Sequence, residues 1–233
     1  METLVPDVYL VRFDLPSSLS VLNCGLGKYV NLRAVIGGES VERSYSPMSR
    51  PSDRGVVEFL IKCDTTSGLM SKHLTSLKPG DVMELRGPIV SARFDGPEID
   101  LARPGLKLGL IAGGTGVAPM TQILREVFYT GSTVHVDMIL ASPRPDMVPF
   151  YELLTRKSYS HPNFNLTCTV DATAGLPWAD SVGFVNAGLI KASLSPPGEG
   201  VFIVVCGPPP MCRAVKRALV STGYTEDMFY SYL

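Results

Sequence analysis

The sequence predicts two domains of different class: an antiparallel β-barrel, then a doubly wound α/β domain built on a parallel sheet. Three observations carry this. Up to about Arg103, short strand-like runs follow one another between turn signals, the pattern of a barrel or sandwich. From Leu106 onward, apolar strand-like segments alternate with helix-like ones, the order that makes a parallel sheet with helices on both faces. Between the two, Arg103-Pro104-Gly105 breaks any continuing element, which places the boundary between residues 103 and 104.

In the first half, Asp7–Leu15, Tyr29–Ile36, Gly55–Cys63 and Val82–Leu85 are alternating or β-rich, separated by signals such as GG, PSDRG and KPGD. No strand is expected before Asp7–Leu15, and Gly68–Leu77 is the one convincing helix. In the second half, strands are expected at Leu106–Ala112, Thr133–Ala141, Asn165–Asp171 and Gly200–Cys206. Helices are expected at Val117–Thr130, Val148–Arg156, Asn186–Ser193 and Pro210–Thr222, with Asp227–Tyr232 as a last edge strand. The helix over 117–130 rests on Val117, Met120, Ile123, Leu124, Val127 and Phe128, whose three- and four-residue spacing defines one apolar face.

Composition excludes several function classes. A chain of 233 residues with 45% hydrophobic and 18% charged residues is globular, and a net charge of −1 gives no electrostatic footprint for nucleic acid. Nothing resembles a signal peptide, and no apolar run reaches the roughly 18 residues needed to span a bilayer. Five scattered cysteines without a C-x-x-C pair argue against a disulfide framework or zinc site and for a reducing compartment. His73, His135 and His161 have no metal-ligand spacing, so each is expected at the surface or satisfied in the core.

Four segments carry the chemistry. Arg43-Ser44-Tyr45-Ser46-Pro47-Met48 ends a strand-like run, and alternation puts the Arg43 cation and the Tyr45 ring on one face, suited to a phosphate and a flat ring. Ser67–Leu74 joins glycine and serine to a helix start, an anion site or an ordinary capped helix. Gly113, Gly114 and Gly116 form a turn between strand and helix where phosphate can approach the backbone. It is not the Rossmann fingerprint, because Pro119 stands where the third glycine belongs. Finally, Cys206-Gly207-Pro208-Pro209-Pro210-Met211 turns a buried strand into a rigid crevice wall at the strand's carboxyl end.

In this order the motifs resemble the ferredoxin–NADP reductase superfamily of flavoproteins, and within it the NADH–cytochrome b5 reductase family. RSYSPM is similar to the family's R-x-Y-[ST] flavin signature, SGLMSKHL to its pyrophosphate segment, GGTGVAPM to its glycine turn and CGPPPM to its nicotinamide-side motif. Leu85-Arg86-Gly87-Pro88 and Gly183-Phe184-Val185-Asn186 also read as family segments. The resemblance implies that Arg43 binds the FAD diphosphate, with Ser44 and Tyr45 beside the flavin and Ser46 near its N5 atom. It implies that Ile61 and Lys62 contact flavin or NADH, and that Gly68, Met70 and Ser71 hold the pyrophosphate through backbone N–H groups and a hydroxyl. Gly114, Thr115, Gly116, Ala118 and Pro119 would line the nucleotide crevice, and Cys206, Gly207, Pro208 and Met211 would flank the nicotinamide. Ser46 and Cys206 are the residues it places nearest the reacting atoms. Departures are Leu69 in place of a lysine, Ala118 in place of a threonine, and a connection between Cys63 and Gly68 about ten residues shorter than in relatives.

The implied activity is hydride transfer from NADH to FAD, followed by single-electron transfer to a haem protein such as cytochrome b5, with no metal and no general acid or base. The cofactor supplies the chemistry and the protein supplies orientation. The region that selects NADH or NADPH is expected at 141–146, where both Arg144 and Asp146 stand. An NADPH-dependent ferredoxin- or oxygenase-linked reductase, a flavin module of a nitrate-reductase-like system, and a non-catalytic nucleotide-binding protein are the alternative readings. The chain is expected to be a cytoplasmic monomer without a membrane anchor.

Overall fold

A computed structural model describes residues 1–89, 99–178 and 180–232. The chain divides into two compact units, Met1–Ile99 with Thr121–Glu126, and Asp100–Met120 with Val127–Leu233.

The first unit is built on two three-stranded antiparallel sheets. Strands β1 (Glu2–Val5), β2 (Val8–Asp14) and β5 (Val56–Lys62) form one in the order β1-β2-β5, and β4 (Glu39–Tyr45), β3 (Tyr29–Ile36) and β6 (Glu84–Ile89) form the other in the order β4-β3-β6. β1 corrects the expectation that no strand precedes Asp7–Leu15: Asp7 adopts φ 61° in a tight turn that folds β1 back on β2. Alternation buries one face of β3 through Val30 and Leu32, whereas β5 is buried on both faces from Val57 to Ile61. Val11, Val57, Phe59 and Ile61 pack with Val30, Leu32 and Val41, and helix α1 (Leu69–Ser76) adds Met70 and Leu74. Each such side chain contributes about 1.5–3 kcal/mol on full burial. β6 begins two residues later than the pattern predicts. The Lys78–Asp81 turn is closed by Lys78 N–H to Asp81 Oδ2 at 2.8 Å, and Val82 is left 91% exposed outside the ladder.

The second unit carries a six-stranded sheet in which every neighbouring pair is parallel. Its strands are β7 (Lys107–Gly113), β8 (His135–Ser142), β9 (Phe164–Val170), β10 (Ser181–Val182), β11 (Val201–Cys206) and β12 (Phe229–Tyr232), in the order β10-β9-β8-β7-β11-β12. Helices are α2 (Val117–Thr130), α3 (Tyr151–Ser160), α4 (Ala187–Ser193) and α5 (Pro209–Ser221). Ile111, Ile139, Ile203 and Val205 face α4 and α5 through Ile190, Leu194, Cys212, Val215 and Leu219. The right-handed crossover rule places α2 and α3 over the opposite face. Strand order reverses between β7 and β11, so their carboxyl ends open the crevice where such sheets bind ligands. α3 starts three residues later than expected because Pro149 and a left-handed Phe150 (φ 61°) intervene. β10 is too short for sequence alternation to announce.

Candidate functional site

In the first unit the site is built on the end of β4. Arg43 pairs with Leu32 and Tyr45 with Val30 of β3, so both side chains share one face, as alternation requires. Tyr45 packs edge-on against Phe59, with ring centroids 6.3 Å apart. Burial pushes its phenol up in pKa, an effect moderated by a hydrogen bond with Ser71 and by the Arg43 charge. That bond joins the R-S-Y-S segment to α1. Arg43 is exposed and donates to the Glu42 carbonyl at 2.7 Å. Ser44 faces the other way and gives its hydroxyl to Asn31 Oδ1 at 2.8 Å, while Ser46 is half-buried.

α1 starts at Gly68 with no side-chain cap and no acidic residue in its first turn, so its leading N–H groups are open to an anion. A Cβ on Gly68 would meet nothing within 4 Å, which leaves room at that terminus. Met70 is 2% exposed and Ile61 1%, so both offer a ligand only their backbone. The short connection from β5 to α1 is closed by Asp64, whose Oδ1 accepts from Thr66 N–H at 2.9 Å and from Ser67 Oγ at 3.1 Å. Lys62 Nζ lies 3.1 Å from the same carboxylate. Donors from Thr66, Lys62 and Ser67 hold the Asp64 carboxyl well below the usual range.

In the second unit the glycine turn and the CGPPPM segment meet backbone to backbone. β7 and β11 pair with Ala112 opposite Cys206. A Cβ on Gly116 would collide with the Cys206 carbonyl, and one on Gly113 with Met211 Sδ. A Cβ on Gly207 would lie 3.1 Å from Gly113 Cα. Gly114 has φ 53°, a left-handed conformation that glycine adopts without strain. Thr115 is half-exposed, whereas Ala118 and Pro119 are buried in the first turn of α2. Helices α2 and α5 both begin at this crevice without side-chain caps or acidic residues in their first turns. Pro208 caps α5 with Pro209 and Pro210 as its first residues, one residue earlier than the sequence predicts. The geometry brings Gly113, Gly116, Cys206, Gly207 and Met211 together as two facing dipole-positive helix ends around glycine backbone.

Cys206 is partly buried, and burial, followed by the neighbouring Cys212, raises its thiol to about 12. It stays protonated at neutral pH, so it offers bulk and a weak S–H rather than a thiolate. His135 contacts Asp137 at 2.9 Å and His161 packs on Phe128, as expected of histidines outside a catalytic dyad. No group of metal-binding side chains occurs among the described residues. No described helix is long and apolar enough to cross a membrane.

Several site features have no sequence signal. Gln122 Nε2 donates to the carbonyls of Cys24 and Ser49, each at 3.0 Å. Glu58, 7% exposed, accepts from Arg125 Nη1 at 2.6 Å and from Arg12, and Arg125 also reaches the Met48 carbonyl. These bonds brace Met48 and Ser49, immediately after R-S-Y-S. Ser142, at the carboxyl end of β8, has a buried hydroxyl with no hydrogen-bond partner among the described residues.

An open helix terminus beside a cation and an aromatic ring in one unit, and a glycine crevice at a sheet switch point in the other, define a flavin- and pyridine-nucleotide-dependent oxidoreductase. Residues 1–94 match the oxidoreductase FAD-binding domain family and residues 110–217 the oxidoreductase NAD-binding domain family. The chain is 36% identical over 228 residues to NADH-cytochrome b5 reductase 1 of Neosartorya fischeri, covering 94% of this chain and 71% of that one. It is 36% identical over 242 residues to human NADH-cytochrome b5 reductase 2, covering 95% and 87%. The cytochrome b5 reductase domain of Ulva prolifera nitrate reductase superposes with a TM-score of 0.87 at 26% identity, over 99% of this chain and 93% of that domain. A ferredoxin NADP+ reductase from Neisseria gonorrhoeae shares the fold, with a TM-score of 0.74 at 20% identity over 97% and 92%. The chain belongs to the NADH–cytochrome b5 reductase family of flavoprotein oxidoreductases.

Proposed function

We propose that this chain oxidises NADH at an FAD held by residues 1–103 and passes single electrons to a haem protein of the cytochrome b5 type, with residues 104–233 holding the NADH. The carrying observation is one family's flavin and nucleotide motifs, in order, on a chain about 36% identical to its members over nearly its whole length. The residues fit FAD: α1 offers uncapped N–H groups, Arg43 a cation and Tyr45 a ring face fixed by Phe59 and Ser71. Bound FAD supplies a two-electron acceptor that releases electrons singly.

The chain's own residues then bind and orient. The N–H groups of Met70 and Ser71 take the FAD pyrophosphate, Arg43 neutralises it, and Tyr45 and Ser46 fix the flavin plane. Ser44, turned toward Asn31, supports the strand end. Ile61 offers backbone, and Lys62, bonded to Asp64, sets the local charge. Gly114, Thr115 and Gly116 admit the dinucleotide phosphates, with Ala118 and Pro119 packing beneath. Cys206, Gly207, Pro208 and Met211 form the wall against which the nicotinamide lies. The small Cys206 side chain, kept protonated, places no negative charge beside a ring that becomes cationic as it gives up hydride. Close ring-to-ring approach is the requirement, and no proton-transferring side chain is needed.

The test is anaerobic mixing of the FAD-loaded protein with NADH, then with oxidised cytochrome b5. The reading expects loss of flavin colour followed by haem reduction, with kcat/KM for NADH above that for NADPH. Colourless protein that FAD cannot reconstitute, or flavin inert to NADH, overturns it.

A further inference from the structure

Strands β3 and β4 form a hairpin that turns at Gly37 and Gly38, both with positive φ, and its register runs from Ile36 opposite Glu39 to Val30 opposite Tyr45. Beyond Val30 and Tyr45 the ladder is open. One segment, 24–28, runs into β3 there, and another, 46–49, runs out of β4 just past Arg43 and Tyr45. A side chain joins the two. Gln122 is 1% exposed, and its Nε2 donates to the Cys24 carbonyl and to the Ser49 carbonyl, each at 3.0 Å. A primary amide carries two N–H donors on one nitrogen, so a single group serves both acceptors. The opposite orientation would set Oε1 against two carbonyl oxygens, which fixes the donor end. Residues 121–126 belong to the same compact unit as both segments. Around Ser49 the chain is stiff. Pro47 fixes one φ, Met48 N–H donates to the Glu58 carbonyl at 2.8 Å, and Ser49 Oγ accepts from Glu58 N–H at 2.7 Å.

We propose that Gln122 is a positioning residue for the flavin: its amide clips the open end of the β3–β4 ladder and so sets where Tyr45 and Ser46 stand. It acts through backbone alone, because its side chain is enclosed and offers no surface to a ligand. With Pro47 and Met48 fixed, a displacement of Ser49 is carried back to Ser46 rather than absorbed between them. The proposal rests on the reading that Tyr45 and Ser46 fix the flavin plane, and it names what fixes them in turn. Hydride transfer depends on the distance and angle between two rings, so a tilted flavin reacts more slowly while the dinucleotide phosphates are held as before. The amide is the group this task needs. An apolar side chain would take a donor from two buried carbonyls, and a carboxylate would repel both.

The test uses the FAD-loaded full chain and three variants. Gln122→Met keeps the length of the side chain without its donors, and Gln122→Asn keeps the donors one methylene short of the carbonyls. Val41→Ala removes buried methyl groups near the turned end of the same hairpin, away from its open end. Stopped-flow absorbance gives the limiting rate of flavin reduction and the NADH concentration that supports half of it. Thermal melting and the visible circular dichroism of the bound flavin accompany it. Both Gln122 variants should lower the limiting rate about tenfold, less than the roughly 100-fold that a 1 Å misplacement costs. Their half-saturating NADH concentration should stay within about twofold of the parent's, and their flavin dichroism should change. Val41→Ala should melt lower and keep both the rate and the dichroism. Parent rate and dichroism in a Gln122 variant, or a rate in Val41→Ala that falls in step with its melting temperature, overturns the proposal. Either outcome, with NADH still reducing the parent's flavin, leaves the family function standing; a parent whose flavin NADH does not reduce removes the reading beneath it.

Discussion

Gly116→Ala sets local propensity against packing. Gly116 has φ −61° and ψ −7°, which alanine adopts freely, and a glycine-to-alanine change at a compatible backbone position stabilises by about 0.4–1 kcal/mol through the unfolded chain. Propensity alone therefore predicts a more stable protein. The space denies it. An alanine Cβ would overlap the Cys206 carbonyl and lie 2.8 Å from Gly207 N, and these are backbone atoms, not the end of a flexible side chain. Cys206 is paired with Ala112 on one side and Tyr232 on the other, so relief requires moving β11 within its sheet. Overpacking of this kind costs about 1–3 kcal/mol, which outweighs the propensity gain. With the conformational gain subtracted from a cost in the upper half of that range, the net loss is about 1–2 kcal/mol, and a chain of this size loses about 2–4 °C in Tm per kcal/mol, so Gly116→Ala should melt about 2–8 °C lower. A displacement near 1 Å at the crevice should slow flavin reduction by NADH by about 100-fold. Gly114→Ala is the control. Its φ of 53° costs an alanine about 1 kcal/mol of backbone strain, but no atom lies within 4 Å, so its reduction rate should fall far less. The assays are circular-dichroism melting and stopped-flow flavin absorbance. A Gly116→Ala protein that melts at or above the parent and reduces at a similar rate refutes the reasoning.

Tyr45→Phe and Ser71→Ala each remove one hydrogen bond and should each weaken FAD binding by about fivefold, near 1 kcal/mol, with the double variant no worse than either single one; strict additivity in an FAD titration would show that the two groups do not act together. Glu58→Gln should cost about 1–3 kcal/mol in urea unfolding, because Arg125 and Arg12 lose a buried partner. Burial raises the Glu58 carboxyl, but hydrogen bonds from Arg125 and Arg12 outweigh it and leave it below its ordinary 4.5. Its contribution is therefore full above that value and lost as pH falls through the folded value, so the parent's advantage over Glu58→Gln should vanish in acid; an advantage that persists there counts against the assignment. Cys206, raised to about 12, should react with a maleimide at pH 8 at least about 100-fold more slowly in native protein than after unfolding, and equal rates would contradict its partly buried, protonated state.

The second unit was the more legible in the sequence. Its central strands are apolar on both faces and its helices amphipathic, so periodicity located them, and Val117–Thr130 matched to the residue. The first unit's interior strands were also legible, Tyr29–Ile36 without error, because one face is buried and one wet. What escaped lies where local pattern carries no information. β1 is four residues long, follows a turn set by a left-handed Asp7, and shows no buried residue. β10 has two residues. The motif residues were named by pattern, and the structure adds what that pattern omits: Ser44 turned to Asn31, the side chains of Ile61 and Met70 buried in the core, and Lys62 tied to Asp64. The supports at Gln122, Arg125 and Glu58 join residues 67 to 98 positions apart, a distance no local reading spans.

The most direct measurement is a sequential anaerobic stopped-flow experiment on the purified, FAD-loaded chain. Mixed with NADH, the oxidised flavin spectrum should disappear in one phase whose rate saturates with NADH concentration. Subsequent mixing with oxidised cytochrome b5 should return it as two haems are reduced per flavin. Flavin that keeps its oxidised spectrum in excess NADH, or reduced flavin that leaves cytochrome b5 oxidised, contradicts the account.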